Sequence, residues 1–274
     1  MSEKPASSEP VKAAYLVFDT ESIPDGRLLA KVKYPELEND PDEAVERARQ
    51  EQLRRTEGVS DFLPVSFQIP VAICVARVGS DMRLQALRLL DEPHFRPRAM
   101  VESFWAGLAH YGEAFLVSFN GRRFDLPLLE LAAFRYGLAL PHYFGSEAKW
   151  RRRFNSSHID LLDLLSNYGA IQVHGGLHLF SKLLGKPGKM DLTGADVYAL
   201  YRQGRVREIA EYCCFDVLDT YFVFLRTQVL CGRCTLEQEQ TLIDEARSWL
   251  VHQAEQKPFL KRYLERWGAW EPWP

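Results

Sequence analysis

Apolar positions run unbroken over residues 13–18 (AAYLVF), the pattern of a strand covered on both faces at the centre of a sheet. The run ends in Asp19-Thr20-Glu21. Over 22–66 the sheet pattern lapses: Pro24-Asp25-Gly26 is a turn, and the charged stretch 40–57 (DPDEAVERARQEQLRRTE) has helical character but few apolar positions, which predicts a surface excursion. Sheet character returns at 69–78 (IPVAICVARV) and 83–90 (RLQALRLL), joined by Gly79-Ser80-Asp81 as an antiparallel hairpin. A helix follows over 98–111, then a strand over 114–119 (AFLVSF). A second helix over 125–136 has Pro127 in its first turn, where proline is tolerated. After a short strand at 157–161 the pattern is mostly helical, and 235–274 reads as one or two peripheral helices. Strands first, then strand-helix alternation, then helices, predict an α/β fold with a mixed sheet.

Composition narrows this. With 274 residues, 46% of them hydrophobic, the chain can close one large core, so one principal domain is expected over 13–232, with a disordered polar tail at 1–12 and a helical extension at 233–274. The formal net charge of -3 does not fit a protein that coats duplex DNA through overall basicity, so any contact with nucleic acid has to be local. Five cysteines without an export signal fit a reducing compartment and a soluble, cytoplasmic protein, and no apolar run approaches membrane-spanning length.

Three short blocks carry candidate chemistry. Asp19 and Glu21 are two residues apart on a strand, so both carboxylates project from one face. Like charges this close disfavour one another unless a cation lies between them, and hard oxygen donors select Mg²⁺ or Mn²⁺ over zinc. By itself such a pair is equally a solvated surface feature. The second block, 118–125 (SFNGRRFD), directly follows a strand. Asp125 there is explained by helix capping alone, whereas Asn120 and Phe124 at the strand end suit contacts to a base or sugar. In the third block, 212–217 (YCCFDV), Tyr212 and Asp216 are i and i+4 on a helix and present a phenol and a carboxylate together. A buried tyrosine bonded to a neighbouring carboxylate accounts for that pair equally well.

Taken jointly and in order, D-x-E, N-x-x-x-F-D and Y-x-x-x-D resemble the three motifs of the DEDD exonuclease superfamily, with the tyrosine of its DEDDy branch. More narrowly, FDTESIPD, SFNGRRFDLPLL, SHIDLLDLL and YCCFDVLDTYFVFLR look like stand-alone proteins related to the proofreading exonuclease domain of family-B DNA polymerases. The resemblance spans about residues 13–232. It implies an RNase H-like five-stranded mixed sheet flanked by helices, and a two-metal 3′-5′ exonuclease acting on 3′ ends of single-stranded DNA or RNA. Asp19 would bridge two divalent cations, Mg²⁺ or Mn²⁺, with Glu21 and Asp216 completing the first site and Asp125 serving the second. Tyr212 would orient the attacking water, and Thr20 and Asn120 would contact the terminal nucleotide.

Weaker signals complete the expectation. His158 and Asp160 face one way on their short strand, which suits a supporting role on the substrate side for His158 and suits a structural polar pair equally. The run 149–154 (KWRRRF) mixes cations with rings as a single strand requires, making Trp150 and Arg152 candidate contacts, although such a run can also be a solvated face. Lys182, Lys186 and Lys189 form a second basic candidate. Cys231 and Cys234, with Cys213 and Cys214, do not have the usual spacing of a zinc site, and Cys74, Cys213 and Cys214 read as small core residues. Two rival readings remain: a non-catalytic nucleic-acid-binding module, and a carboxylate-pair hydrolase, which would leave Asp125 and the Tyr212/Asp216 pair without a role.

Overall fold

The computed structural model describes residues 12–145, 149–151, 157–190 and 194–272, apart from the side chains of 194 and 195. Five strands form one sheet: β1 (Ala13–Pro24), β2 (Gln68–Gly79), β3 (Leu84–Leu89), β4 (Phe115–Ser118) and β5 (His158–Asp160). Their spatial order is β3-β2-β1-β4-β5, with β1 antiparallel to β2 and parallel to β4, so the mixed α/β sheet expected from the pattern is present. Leu16, Val17 and Phe18 on the central strand are all buried, as the apolar run required.

β1 does not stop at Phe18. It continues to Pro24 along β2, with Asp19 opposite Cys74 and Glu21 opposite Ala72, while its pairing with β4 ends at Val17. The acidic pair therefore lies within a strand that has lost one neighbour.

Helices cover both faces. In chain order the described helices are α1 (Gly26–Lys33), α2 (Pro41–Arg55), α3 (Pro97–His110), α4 (Asp125–Tyr136), α5 (Pro141–Phe144), α6 (Leu161–Leu165), α7 (Gly176–Leu183), α8 (Gly194–Arg202), α9 (Val206–Leu230), α10 (Leu236–Gln253) and α11 (Leu260–Glu265). Strand alternation decides which face each β1 side chain meets. Tyr15 stacks on Phe224 of α9 at 4.8 Å, and Phe18 packs on Phe104 of α3 at 5.1 Å. Odd-numbered positions thus face α9 and even-numbered ones face the opposite layer.

The stretch 22–66 holds α1 and α2, which close a small apolar cluster of Leu29, Ala30, Tyr34, Ala44, Val45, Ala48 and Leu63 against Tyr198 of α8. Asp25 caps α1 by accepting from the Leu28 amide and pairs with Arg135 of α4, which ties the stretch to the rest of the molecule. At the other end, a capping box of Thr235 and Gln238 starts α10. Leu242, Leu250, Leu260 and Tyr263 from α10 and α11 enter the principal core.

Candidate active site

Because 15, 17, 19 and 21 share a face of β1, Asp19 and Glu21 point at α9, the helix that carries Tyr212 and Asp216. Carboxylate oxygens of Asp19, Glu21 and Asp216 lie within 4.8 Å of one another, and all three residues are partly exposed. The Cys213 thiol donates toward Asp19, 3.3 Å from its carbonyl oxygen and 3.7 Å from Oδ2, and so pins the helix to the strand. One residue on, the thiols of Cys214 and Cys74 meet at 3.3 Å. The three core cysteines are thus the packing layer directly beneath the acids.

Thr20 points to the other face, and its hydroxyl donates to Asp125 Oδ1 at 2.5 Å. Asp125 is buried and is the first residue of α4 rather than its cap; the cap position is Phe124, which makes no side-chain capping bond. The capping explanation for Asp125 therefore does not hold. The turn before it is built around two special positions. Asn120 has φ 67°, a left-handed conformation that asparagine tolerates. A Cβ at Gly121 would sit 2.4 Å from Ser118 Oγ and 3.3 Å from Asp125 Oδ2, so only glycine lets the backbone pass this close to the carboxylate.

The electrostatics are those of buried carboxylates that repel one another. Burial, then Asp125, Asp216 and Glu21, raise the Asp19 pKa well above the carboxylate range. Glu21 is raised by burial, Asp216 and Asp125, while Lys189 opposes them. Burial pushes both Asp125 and Asp216 up to about 7, with Lys189 and the Tyr212 hydroxyl lowering Asp216. Burial and the neighbouring charges of Asp216, Glu21 and Asp19 hold the Tyr212 phenol in its protonated form. Four hard-oxygen donors that repel one another, with few cations among them, fit divalent cations of the Mg²⁺ or Mn²⁺ class.

The other expected contacts divide. Asn120 and Phe124 are half-buried beside Asp125, and the Phe124 ring packs on the exposed ring of Phe62 at 5.5 Å. Phe62 comes from the 22–66 stretch, where its sequence context gave no sign of a role. His158 does not line the cleft. It is buried, its Nε2 meets Ser118 Oγ at 2.8 Å, and burial lowers its pKa to about 3. The neutral imidazole braces β5 against β4. Asp160, equally buried, accepts from the Asn120 and Arg122 amides at 2.9 Å each and so holds the turn that leads to Asp125. Trp150 also faces inward, with its indole N–H bonded to Ala114 O at 3.0 Å and its side chain in the core, so it has no face free for a base. Arg152 lies outside the described residues.

The Lys182, Lys186 and Lys189 group is not one patch. Lys182 and Lys189 are exposed, but Lys186 is buried with its ammonium 4.2 Å from the Trp267 ring centroid, and burial lowers its pKa to about 8. Lys189 is the member that acts on Glu21 and Asp216.

A family model described as "Predicted 3'-5' exonuclease related to the exonuclease domain of PolB" matches residues 60–267. Asp125, Tyr212 and Asp216 fall inside that span; Asp19 and Glu21 precede it and join the cluster through the sheet. Among solved structures, the family B DNA polymerase from the hyperthermophilic archaeon Pyrobaculum calidifontis is similar in fold, with a TM-score of 0.50 and 14% identity over 91% of this chain. The chain spans 30% of that polymerase chain. No curated protein matches.

Proposed function

The chain belongs to the family of predicted 3′-5′ exonucleases related to the exonuclease domain of PolB, and we propose that it hydrolyses terminal phosphodiesters of single-stranded nucleic acid, DNA before RNA, with two divalent cations. The observation that carries this reading is the convergence of Asp19, Glu21 and Asp216 to within 4.8 Å, from a strand and a helix nearly 200 residues apart in sequence. Asp19, Glu21 and Asp216 would hold one cation, and Asp19 and Asp125 the other. Such cations supply a water nucleophile at neutral pH and neutralise charge at the leaving oxygen.

The chain's own groups do the positioning. Tyr212 keeps its proton and shares it with Asp216, so it would orient the attacking water as a hydrogen-bonding partner rather than act as a base. Thr20 fixes the rotamer of Asp125, and Asp160 fixes the turn that delivers it. The Lys189 charge acts on Glu21 and Asp216, and its ammonium would meet a phosphate oxygen of a bound strand. Phe124, backed by Phe62, offers a ring to the terminal base or sugar, next to Asn120.

The test is a 5′-labelled oligonucleotide incubated with the purified protein, as DNA and as RNA, with and without Mn²⁺. Stepwise shortening from the 3′ end that requires metal is expected, with DNA cut faster. Asp19→Ala and Asp216→Ala should lower the rate by at least about 10³-fold, and Tyr212→Phe by about 10- to 100-fold. Metal-independent cleavage, or full activity in Asp19→Ala, would sink the reading, and tight binding without products would favour the non-catalytic module.

A further inference from the structure

The turn between α7 and α8 carries Lys189 to the acidic cluster, and the C-terminal segment holds that turn. Gly268 N–H donates to Gly185 O at 2.8 Å, and Gly185 has φ 67° with no room for a Cβ, which would lie 2.3 Å from Ala269 O. Lys186, next in the turn, rests its buried ammonium on the Trp267 ring. The Tyr263 hydroxyl donates at 2.6 Å to Asp219, a fully buried carboxylate one turn along α9 from Asp216. Burial raises the pKa of that carboxylate to about 6, and the Tyr263 hydroxyl opposes the rise. On the far side of the turn, His178 Nδ1 accepts from the Lys189 amide at 2.9 Å and would meet any Cβ on Gly188 at 2.5 Å.

These contacts do more than close a core. A segment needed only for packing would bury apolar side chains, as Leu260 does. Here instead the Gly268 amide and the Trp267 ring meet Gly185 and Lys186, two of the six residues that end in Lys189, while the Tyr263 hydroxyl holds Asp219 on α9. We propose that Tyr263, Trp267 and Gly268 are positioning residues of the active site, fixing α9 and the 184–189 turn relative to one another so that the Lys189 ammonium is held toward the acids to meet a substrate phosphate. The proposal rests on the exonuclease reading. Its distinct content is that residues at the end of the chain, which touch neither metal nor substrate, set the placement of the cation opposite the acids.

The experiment is a double-mutant cycle in the full chain with Mn²⁺ and a single-stranded DNA substrate. Tyr263→Phe removes one hydroxyl, and Gly268→Pro removes the amide that Gly185 accepts from, at an exposed position. Each is made in the natural sequence and in Lys189→Gln. Each should lower kcat on the order of 10-fold in the natural background, below the about 10²-fold that a 1 Å misplacement can cost, and leave KM little changed. In Lys189→Gln the same changes should lower kcat by less than about 2-fold, because the group they position is gone. If Tyr263→Phe fails to fold, Gly268→Pro carries the cycle alone. Equal fractional losses in both backgrounds, in an active protein, would overturn the positioning role and leave the segment as packing. An inactive natural sequence is a different result: it would overturn the exonuclease reading and this proposal with it.

Discussion

At Asp19, burial and three neighbouring carboxylates all disfavour the charged form, so each proton the cluster retains marks a position a cation can take. Asp125 and Asp216 titrate near 7 in the folded chain against about 4 for an unfolded aspartate. Between those values the native state holds protons that the unfolded state has released, so the stability these groups contribute is present at low pH and is lost as pH rises through about 7. A divalent cation reverses that loss. The Mn²⁺-induced rise in Tm should therefore be small at pH 5.5 and large at pH 8, a comparison that scanning fluorimetry makes directly; a pH-independent rise would contradict the assignment. At this scale the acids and Tyr212 were legible because motif order and strand or helix spacing fix which way a side chain points. Trp150 was not: a ring beside arginines reads the same whether it faces solvent or the Ala114 carbonyl. His158 was half legible, on the right strand and face but spent on Ser118.

The segment 118–125 shows how an element delivers one carboxylate. Asn120 reverses the chain, Gly121 passes within reach of Ser118 and Asp125, and Asp160 on β5 ties two amides of the turn. Gly121→Ala should consequently cost activity out of proportion to stability. The added methyl displaces Asp125 or Ser118, lowering the exonuclease rate by about 10²-fold, while the overpacking costs about 1–3 kcal/mol in chemical denaturation. Equal activity with unchanged Mn²⁺ affinity would count against Asp125 as a ligand. The sequence located this turn and the helix after it, because apolar runs and Asn-Gly punctuation are local signals. It did not locate the end of β1, since Asp19 to Pro24 is held by β2 rather than by its own apolar pattern. Nor did it reveal that Phe62 would meet Phe124 or that Lys189 alone of three lysines would reach the acids. Both depend on contacts made by chain segments far away in sequence.

Over the whole molecule, the net charge of -3, with Lys189 as the cation that acts on Glu21 and Asp216 among the described residues, sets limits on substrate binding. A counterion-release slope of kcat/KM against salt should correspond to about two or three phosphates rather than the 6–10 of a duplex-binding protein; a steep slope would point to a longer basic track. Stability at this scale includes α10. Glu239 is fully buried and receives Arg226 at 2.8 Å, with the Arg226 guanidinium over Trp270, its centre 4.3 Å from the ring centroid. Glu239→Ala should cost near or below the lower end of the about 3–5 kcal/mol for breaking a buried pair, because Arg226 keeps some access to water. The predicted 233–274 helices are present, but the apolar spacing of α10 and α11 gave no sign that Tyr263 would reach Asp219. The spread of these partners along the chain has a further meaning during synthesis. Asp19 leaves the ribosome about 200 residues before Asp216 and about 250 before Gly268. A nascent chain thus exposes an isolated acidic pair that holds a cation poorly, and a competent site arises only once the segment around Gly268 has been made, so a product terminated before it should be unable to degrade nucleic acid.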